Sequence, residues 1–116
     1  MKKVVLNDCF GGFRLSRKAY KFLGLPWDGF GFAHDISRED PRLVKCVETL
    51  GKEANGECAE LVIAEYDDYN YACHINDYDG LESLGLSPIV HKSKIETMNV
   101  NEIIEYLKSL DIRVVD

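Results

Sequence analysis

The spacing of apolar residues changes several times along the chain, and each change predicts an element. Lys2-Lys3-Val4-Val5-Leu6-Asn7 is a short β-branched run that reads as a strand. It runs into Asp8-Cys9-Phe10-Gly11-Gly12-Phe13, where two glycines open backbone dihedrals closed to other residues, so a turn follows. Ser16 offers an N-cap oxygen to a short helix through Arg17 to Leu23, and Gly24 stands where a left-handed C-cap belongs. Leu25 to Phe32 is broken by Pro26, Gly29 and Gly31 yet rich in rings, which describes a loop that packs or a loop that binds. Asp40-Pro41 starts a second helix; Leu43, Val44, Val47 and Leu50 share one face of it and Gly51 stops it.

From Cys58 onward the period drops to two. Ala59, Leu61 and Ile63 share one face, Tyr71, Cys73 and Ile75 share another, and Tyr66 to Asn70 joins the two runs, so the pattern predicts a central hairpin between them. Asp77-Tyr78-Asp79-Gly80 closes the second strand with turn chemistry, and Leu81 to Leu84 begins a third. A last helix is marked by Asn99 as N-cap, Glu102 reaching back to it and Met98 stapled to Ile103, with Ile103, Tyr106, Leu107 and Leu110 as its core face. Ile112 to Val115 reads as a terminal strand. Together these elements predict an α+β fold: one small domain over 1–116, mainly an antiparallel sheet of four or five strands with about three helices.

Composition narrows the function classes. At 116 residues the chain suffices for one domain, and 46% apolar with 29% charged residues describes a folded globular protein. The net charge of -6 argues against a binder of nucleic-acid duplexes. No window approaches eighteen apolar residues and the start is too short for a signal peptide, so the expectation is a cytoplasmic protein without a membrane partner. Cys9, Cys46, Cys58 and Cys73 include no pair two to four residues apart, so no metal site and no cofactor is expected, and a reducing compartment keeps the thiols free. Cys46, Cys58 and Cys73 read as small buried hydrophobes, whereas Cys9 stands in the glycine turn.

The charge is unevenly placed, +2 over residues 1–58 and -8 over 59–116, with no Lys or Arg between Glu57 and His91. Two readings follow. The acidic stretch is a solvated hairpin, or Glu65, Tyr66, Asp67, Asp68, Tyr69, Asp77, Tyr78 and Asp79 form a protein-docking surface, with tyrosines giving contact area and carboxylates steering it onto a basic groove. Catalysis has less support. Cys9 resembles in outline a nucleophile on a tight turn, but no histidine is local to it, and Asp77-x-Asp79-Gly80 lacks the length and later Glu of a calcium loop. The glycine loop can instead hold an anion on successive backbone amides, with Arg14, Arg17 and Lys18 behind it. That makes Asn7, Cys9, Phe10, Gly11, Gly12, Phe13 and Arg14 candidate ligand-binding residues, with Trp27 or Phe30 as the aromatic partner. In the blander reading Gly11 and Gly12 only let the chain turn while Phe10 and Phe13 enter the core.

Four words in this order and spacing resemble a family of small proteins of tailed phages and prophages. They are Leu6-Asn7-Asp8-Cys9-Phe10-Gly11-Gly12-Phe13-x-Leu15-Ser16, Arg38-Glu39-Asp40-Pro41-Arg42-Leu43-Val44, Leu50-Gly51-x-x-Ala54-Asn55-Gly56 and Asp77-Tyr78-Asp79-Gly80-Leu81-Glu82. The likeness runs over about residues 1 to 84, so 1–86 reads as a family-like core and 87–116 as a C-terminal helix-strand extension. Asp8 departs from the basic residue expected before the cysteine, which lowers the positive charge beside the glycine loop. The resemblance implies origin more than mechanism. By analogy with small phage accessory proteins it implies a non-catalytic counter-defence protein that sequesters a nucleotide immune signal in the host cytoplasm, with its pocket at the interface of a homo-oligomer because one small domain has little room. The alternatives are an acidic inhibitor docking on a CRISPR-Cas or other nucleic-acid-handling host protein, and a cysteine-dependent hydrolase using Cys9.

Overall fold

A computed structural model describes residues 1–90 and 100–102. Strand β1 (Lys2–Asn7) leads into helix α1 (Arg17–Leu23), helix α2 (Pro41–Leu50) and a 3-10 turn (Gly51–Ala54), followed by β2 (Leu61–Tyr66), β3 (Tyr71–Tyr78) and β4 (Leu81–Pro88). The fold is α+β, and residues 1–90 hold four strands in two antiparallel pairs with three helical segments. The C-terminal capping box, the core face Ile103 to Leu110 and the terminal strand lie outside the described residues, save that 100–102 are helical.

Local chemistry sets the helix ends as predicted. The Ser16 hydroxyl accepts from the Ala19 amide at 3.1 Å, and Gly24 closes α1 in the left-handed region. Asp40 accepts from the Arg42 amide at 2.9 Å with Pro41 in the first turn of α2. Leu43, Val44 and Val47 then bury one face of α2 with Cys46, against Val5, Leu15, Ala19, Tyr20 and Ala54. Leu61 and Ile63 of β2 pack on this cluster from the other side, as their shared face predicts. Val4, Val5 and Leu6 of β1 are all buried, which makes β1 the spine of the domain.

The predicted central hairpin does not form. β2 pairs with β1, Lys2 opposite Tyr66 through Asn7 opposite Leu61, and β3 pairs with β4, Tyr71 opposite Pro88 through Tyr78 opposite Leu81. The reason lies in the turns. Asp79 (φ 51°) and Gly80 (φ 90°) form a two-residue loop whose positive dihedrals match the twist of the flanking strands, and Asp77 accepts from the Gly80 amide at 2.8 Å. The Asp67 carboxylate organises a turn at Tyr66 to Asn70 as well, but β2 is already committed to β1. Of the three cysteines expected to be buried, Cys46 is; Cys58 is exposed, with φ 60°, ahead of β2, and Cys73 is half-buried with its thiol donating to Glu39 at 2.9 Å.

Candidate functional site

The residues grouped around the first glycine loop separate in space. Asn7 is fully buried, and its polar atoms are engaged. Its side-chain amide donates to the Cys9 and Gly80 carbonyls at 2.7 Å each, its Oδ1 accepts from the Glu60 amide at 2.8 Å, and its own backbone N–H donates to Glu82 Oε1 at 2.8 Å. Asn7 is therefore a structural clasp and not a ligand contact. The glycine loop is occupied too. The Gly11 amide donates to the Asp79 carbonyl at 3.0 Å, and Gly80 lies so close to the Gly11–Gly12 backbone that a Cβ there has no room. The tip of the β3–β4 hairpin thus fills the place where successive amides would have received an anion. Phe13 lies beneath Arg38, 3.5 Å from guanidinium carbon to ring centroid, and Phe10 stays exposed with Tyr78 edge-on at 6.3 Å. Cys9 lines another groove, of about 610 Å³, together with Cys58 and the apolar side chains of β2. His74 lies across Gly85 and His34 stacks on Phe32, so these two imidazoles are engaged elsewhere than at the Cys9 thiol.

Arg14, Trp27 and Phe30 do come together. With Arg17 and Glu57 they line a cleft of about 550 Å³ formed by one chain. Its floor is the segment Arg14-Leu15-Ser16, held on both sides by backbone. Leu15 donates to the Gly31 carbonyl at 2.8 Å, Ser16 donates to the Ala54 carbonyl at 2.9 Å, and Gly56 donates to the Arg14 carbonyl at 2.9 Å. Leu15 is fully buried between these strips, which leaves the side chains of Arg14 and Arg17 to the cleft. Gly31 needs its φ of 85° and its missing side chain, because a Cβ there collides with the Leu15 carbonyl.

One carboxylate shapes the aromatic wall. Asp28 accepts from the backbone amides of Phe30 (2.8 Å), Gly31 (2.5 Å) and Phe32 (3.1 Å), and from the Tyr20 hydroxyl at 3.1 Å. The Tyr20 oxygen accepts in turn from the Ala33 amide at 2.7 Å. Burial first, then its bond to Asp28, pushes the Tyr20 phenol above its ordinary range, so it stays a donor. The Gly31 amide above all, with those of Phe30 and Phe32, holds the Asp28 pKa down at about 2. Its value in an unfolded chain is 3.8, so the loop is stabilised by this charge above that pH and loses the contribution as pH falls from 3.8 toward about 2. An acid titration followed by Trp27 emission should show a transition in that window, and Asp28→Asn should remove it; an identical transition in the variant rejects the assignment.

Above this wall the two arginines rest on rings. Arg17 lies 5.3 Å from the Trp27 centroid and Arg14 5.1 Å from that of Phe32. Among the described residues neither guanidinium has a carboxylate within ion-pair distance. Their charge is thus available to a ligand, and the adjoining rings offer it a stacking surface.

The residues assigned to docking divide into two groups at opposite ends of β3. Glu65 to Tyr69 sit at its start and Asp77 to Asp79 at its end, on the order of 25 Å apart for an eight-residue strand. Tyr66 is buried, and its hydroxyl donates to Glu39 at 2.7 Å; bonding to Cys73 and Glu39 drives its pKa strongly upward. Hydrogen bonds from Cys73 and Tyr66 hold Glu39 below the usual carboxylate range. Asp68 pairs with the N-terminal amine at 3.6 Å and Glu65 with Lys3 at 4.0 Å, while Tyr69 and Tyr78 are exposed. A single continuous acidic surface is therefore replaced by two small ones.

Sequence reasoning passed over three residues that organise this region. Arg38 and Glu82 form a bidentate pair, and nothing local announces it, since 44 positions separate them. Asp28 did carry a signal: an Asp one and three residues before glycines is the pattern of a carboxylate that caps its own turn. No set of three or more His, Cys, Asp or Glu among the described residues is placed to hold a metal ion. No helix among them is long and apolar enough to cross a membrane. Among known proteins, no family model, no curated sequence and no solved structure matches this chain.

Proposed function

We propose that this chain is a non-catalytic binding protein whose ligand is a nucleotide, held in the cleft of Arg14, Arg17, Trp27 and Phe30. The phosphate lies between the two guanidinium groups and the base lies against Trp27 or Phe30. The observation that carries this reading is the pair of arginines without ion-pair partners among the described residues, beside rings at the mouth of a cleft of about 550 Å³. A cation with no carboxylate in ion-pair contact, next to a flat apolar surface, suits an anionic group attached to a heteroaromatic ring. Set beside the resemblance to tailed-phage proteins, the reading becomes sequestration of a nucleotide immune signal, a counter-defence role in the host cytoplasm.

Trp27 is the chain's single tryptophan, so its emission reports occupancy directly. Titration with adenosine monophosphate, ADP-ribose and cyclic dinucleotides should change that emission and raise the melting temperature for at least one of them. Arg14→Ala and Arg17→Ala should each weaken binding by about 10- to 100-fold, the worth of a charged hydrogen bond. No response to any of the three, or affinities untouched by both substitutions, overturns the reading.

A second reading has one observation in its favour. Phe10 and Tyr78, both more than half exposed and in edge contact, stand beside Asp77 and Asp79 at the hairpin tip. This is the place where an acidic inhibitor would meet a basic host protein such as a CRISPR-Cas component, and Tyr78→Ala would then abolish inhibition with the fold intact.

A further inference from the structure

Beyond Trp27 the aromatic wall continues. Phe30, Phe32 and His34 recur every second residue and stack in a row, with centroids 5.4 Å apart at each step and interplanar angles of 19° and 30°. Phe30 is 61% exposed and Phe32 37%, so the row is not part of the core. It is nevertheless rigidly placed, because the amides of Phe30 and Phe32 are two of those bound by Asp28. Its two ends belong to different cavities. Phe30 borders the arginine cleft, and His34 borders a second one of about 260 Å³ with Tyr20, Leu25, Pro26 and Asp35.

We infer that the ligand is a short single-stranded or cyclic oligonucleotide, with one base stacked at the Phe30 end of the row and another at the His34 end. This rests on the cleft reading above and extends it from one nucleotide to several. A mononucleotide engages one end of the row only and leaves the other rings in water. A ligand with more than one base covers both ends, and its intervening phosphates pass the middle ring, Phe32, where Arg14 stands 5.1 Å away. Rows of exposed rings beside cationic side chains are how single strands are held without reading their sequence, because every base has a face to stack. Carboxylates border both cavities, Glu57 the first and Asp28 and Asp35 the second, so the phosphates are placed at the middle of the row, where Arg14 stands. The Asp28 carboxylate is itself engaged by the loop amides of Phe30, Gly31 and Phe32.

The experiment is a length series read by Trp27 emission on the full chain: adenosine monophosphate, then linear oligoadenylates of two to six nucleotides and cyclic tri-, tetra- and hexa-adenylates. Affinity should rise by about 5- to 100-fold once a ligand reaches the second base position, the range of one added stacking contact. His34→Ala should erase that gain while leaving mononucleotide affinity unchanged, and His34 is exposed, so its variant folds. With the longer ligands, the slope of log affinity against log salt should flatten by about 0.7 in Arg14→Gln. If the monophosphate binds and length brings no gain, or the gain survives His34→Ala, the oligonucleotide assignment fails while the cleft reading stands. If no ligand of any length binds, both fail.

Discussion

Glu82→Ala should destabilise the fold by about 3–5 kcal/mol, the cost of removing the buried carboxylate of a part-buried ion pair together with stranding the backbone N–H it binds. Glu82 lies on β4 with its side chain only 5% exposed, and its two oxygens meet the two terminal nitrogens of Arg38 at 2.5 and 2.8 Å. The same carboxylate receives the Asn7 amide at the end of β1. Arg38 in turn covers Phe13 and donates to the Val5 carbonyl at 3.3 Å, while the Val5 amide donates back to the Arg38 carbonyl at 2.9 Å. One carboxylate thus joins the two strand pairs and the segment that leads into α2. Removing it strands a guanidinium and a backbone N–H at once. For a domain of this size each kcal/mol moves the melting temperature by about 4 °C or more, so thermal denaturation should show a drop of at least about 12 °C. The double variant Arg38→Met with Glu82→Leu should be less damaged than either single change, because no buried charge is left alone. A loss under about 1 kcal/mol in Glu82→Ala would show that water replaces the pair, and the clasp would then lie elsewhere.

The second large effect is expected at Asn7. Asn7→Ala leaves the Cys9 and Gly80 carbonyls and the Glu60 amide without their partner, and each unsatisfied buried group costs about 1–3 kcal/mol. Some of these groups can reach water at the hairpin tip, so a net loss of about 2–4 kcal/mol is expected in urea denaturation. Asn7→Asp separates shape from chemistry. An aspartate has the same outline but presents only acceptors to two carbonyls, with Glu82 close by. Its pKa should be raised above the unfolded value, so its penalty against the wild type should be smaller at pH 4 than at pH 7. Equal penalties at both pH values would mean that the site has rearranged. Neither change should alter nucleotide affinity of the folded fraction, because Asn7 does not line the arginine cleft. A selective loss of affinity would restore Asn7 to the ligand site.

The glycine loop shows how a local motif is redirected by distant contacts. Gly11 and Gly12 have the positive dihedrals that their sequence suggests, at 116° and 100°, yet the Gly11 amide donates to the Asp79 carbonyl and Gly80 lies against Gly12. The backbone freedom that suggested a phosphate cradle serves here to seat the hairpin tip. Arg14, placed behind the loop as an auxiliary, turns out to face the other way, into a cleft with Trp27 and Phe30. Trp27 and Phe30, the aromatics expected beside the ligand loop, share that cleft with Arg14, while Asn7, Phe13 and the glycines serve the fold.

What the chain determines by itself is what a few neighbouring residues can settle. The caps of α1 and α2, the apolar period of α2, the alternation in β3 and the Asp79-Gly80 turn are set by residues four or fewer apart, and all are legible in the letters. The tertiary structure decides the rest: that β2 turns to β1, that Asn7 and Glu82 meet across 75 positions and Asn7 and Gly80 across 73, and that Arg14 and Trp27 share one cleft. Strand pairing and charge pairing at such separations are chosen by competition among all possible partners for one core, and no window of sequence contains that competition.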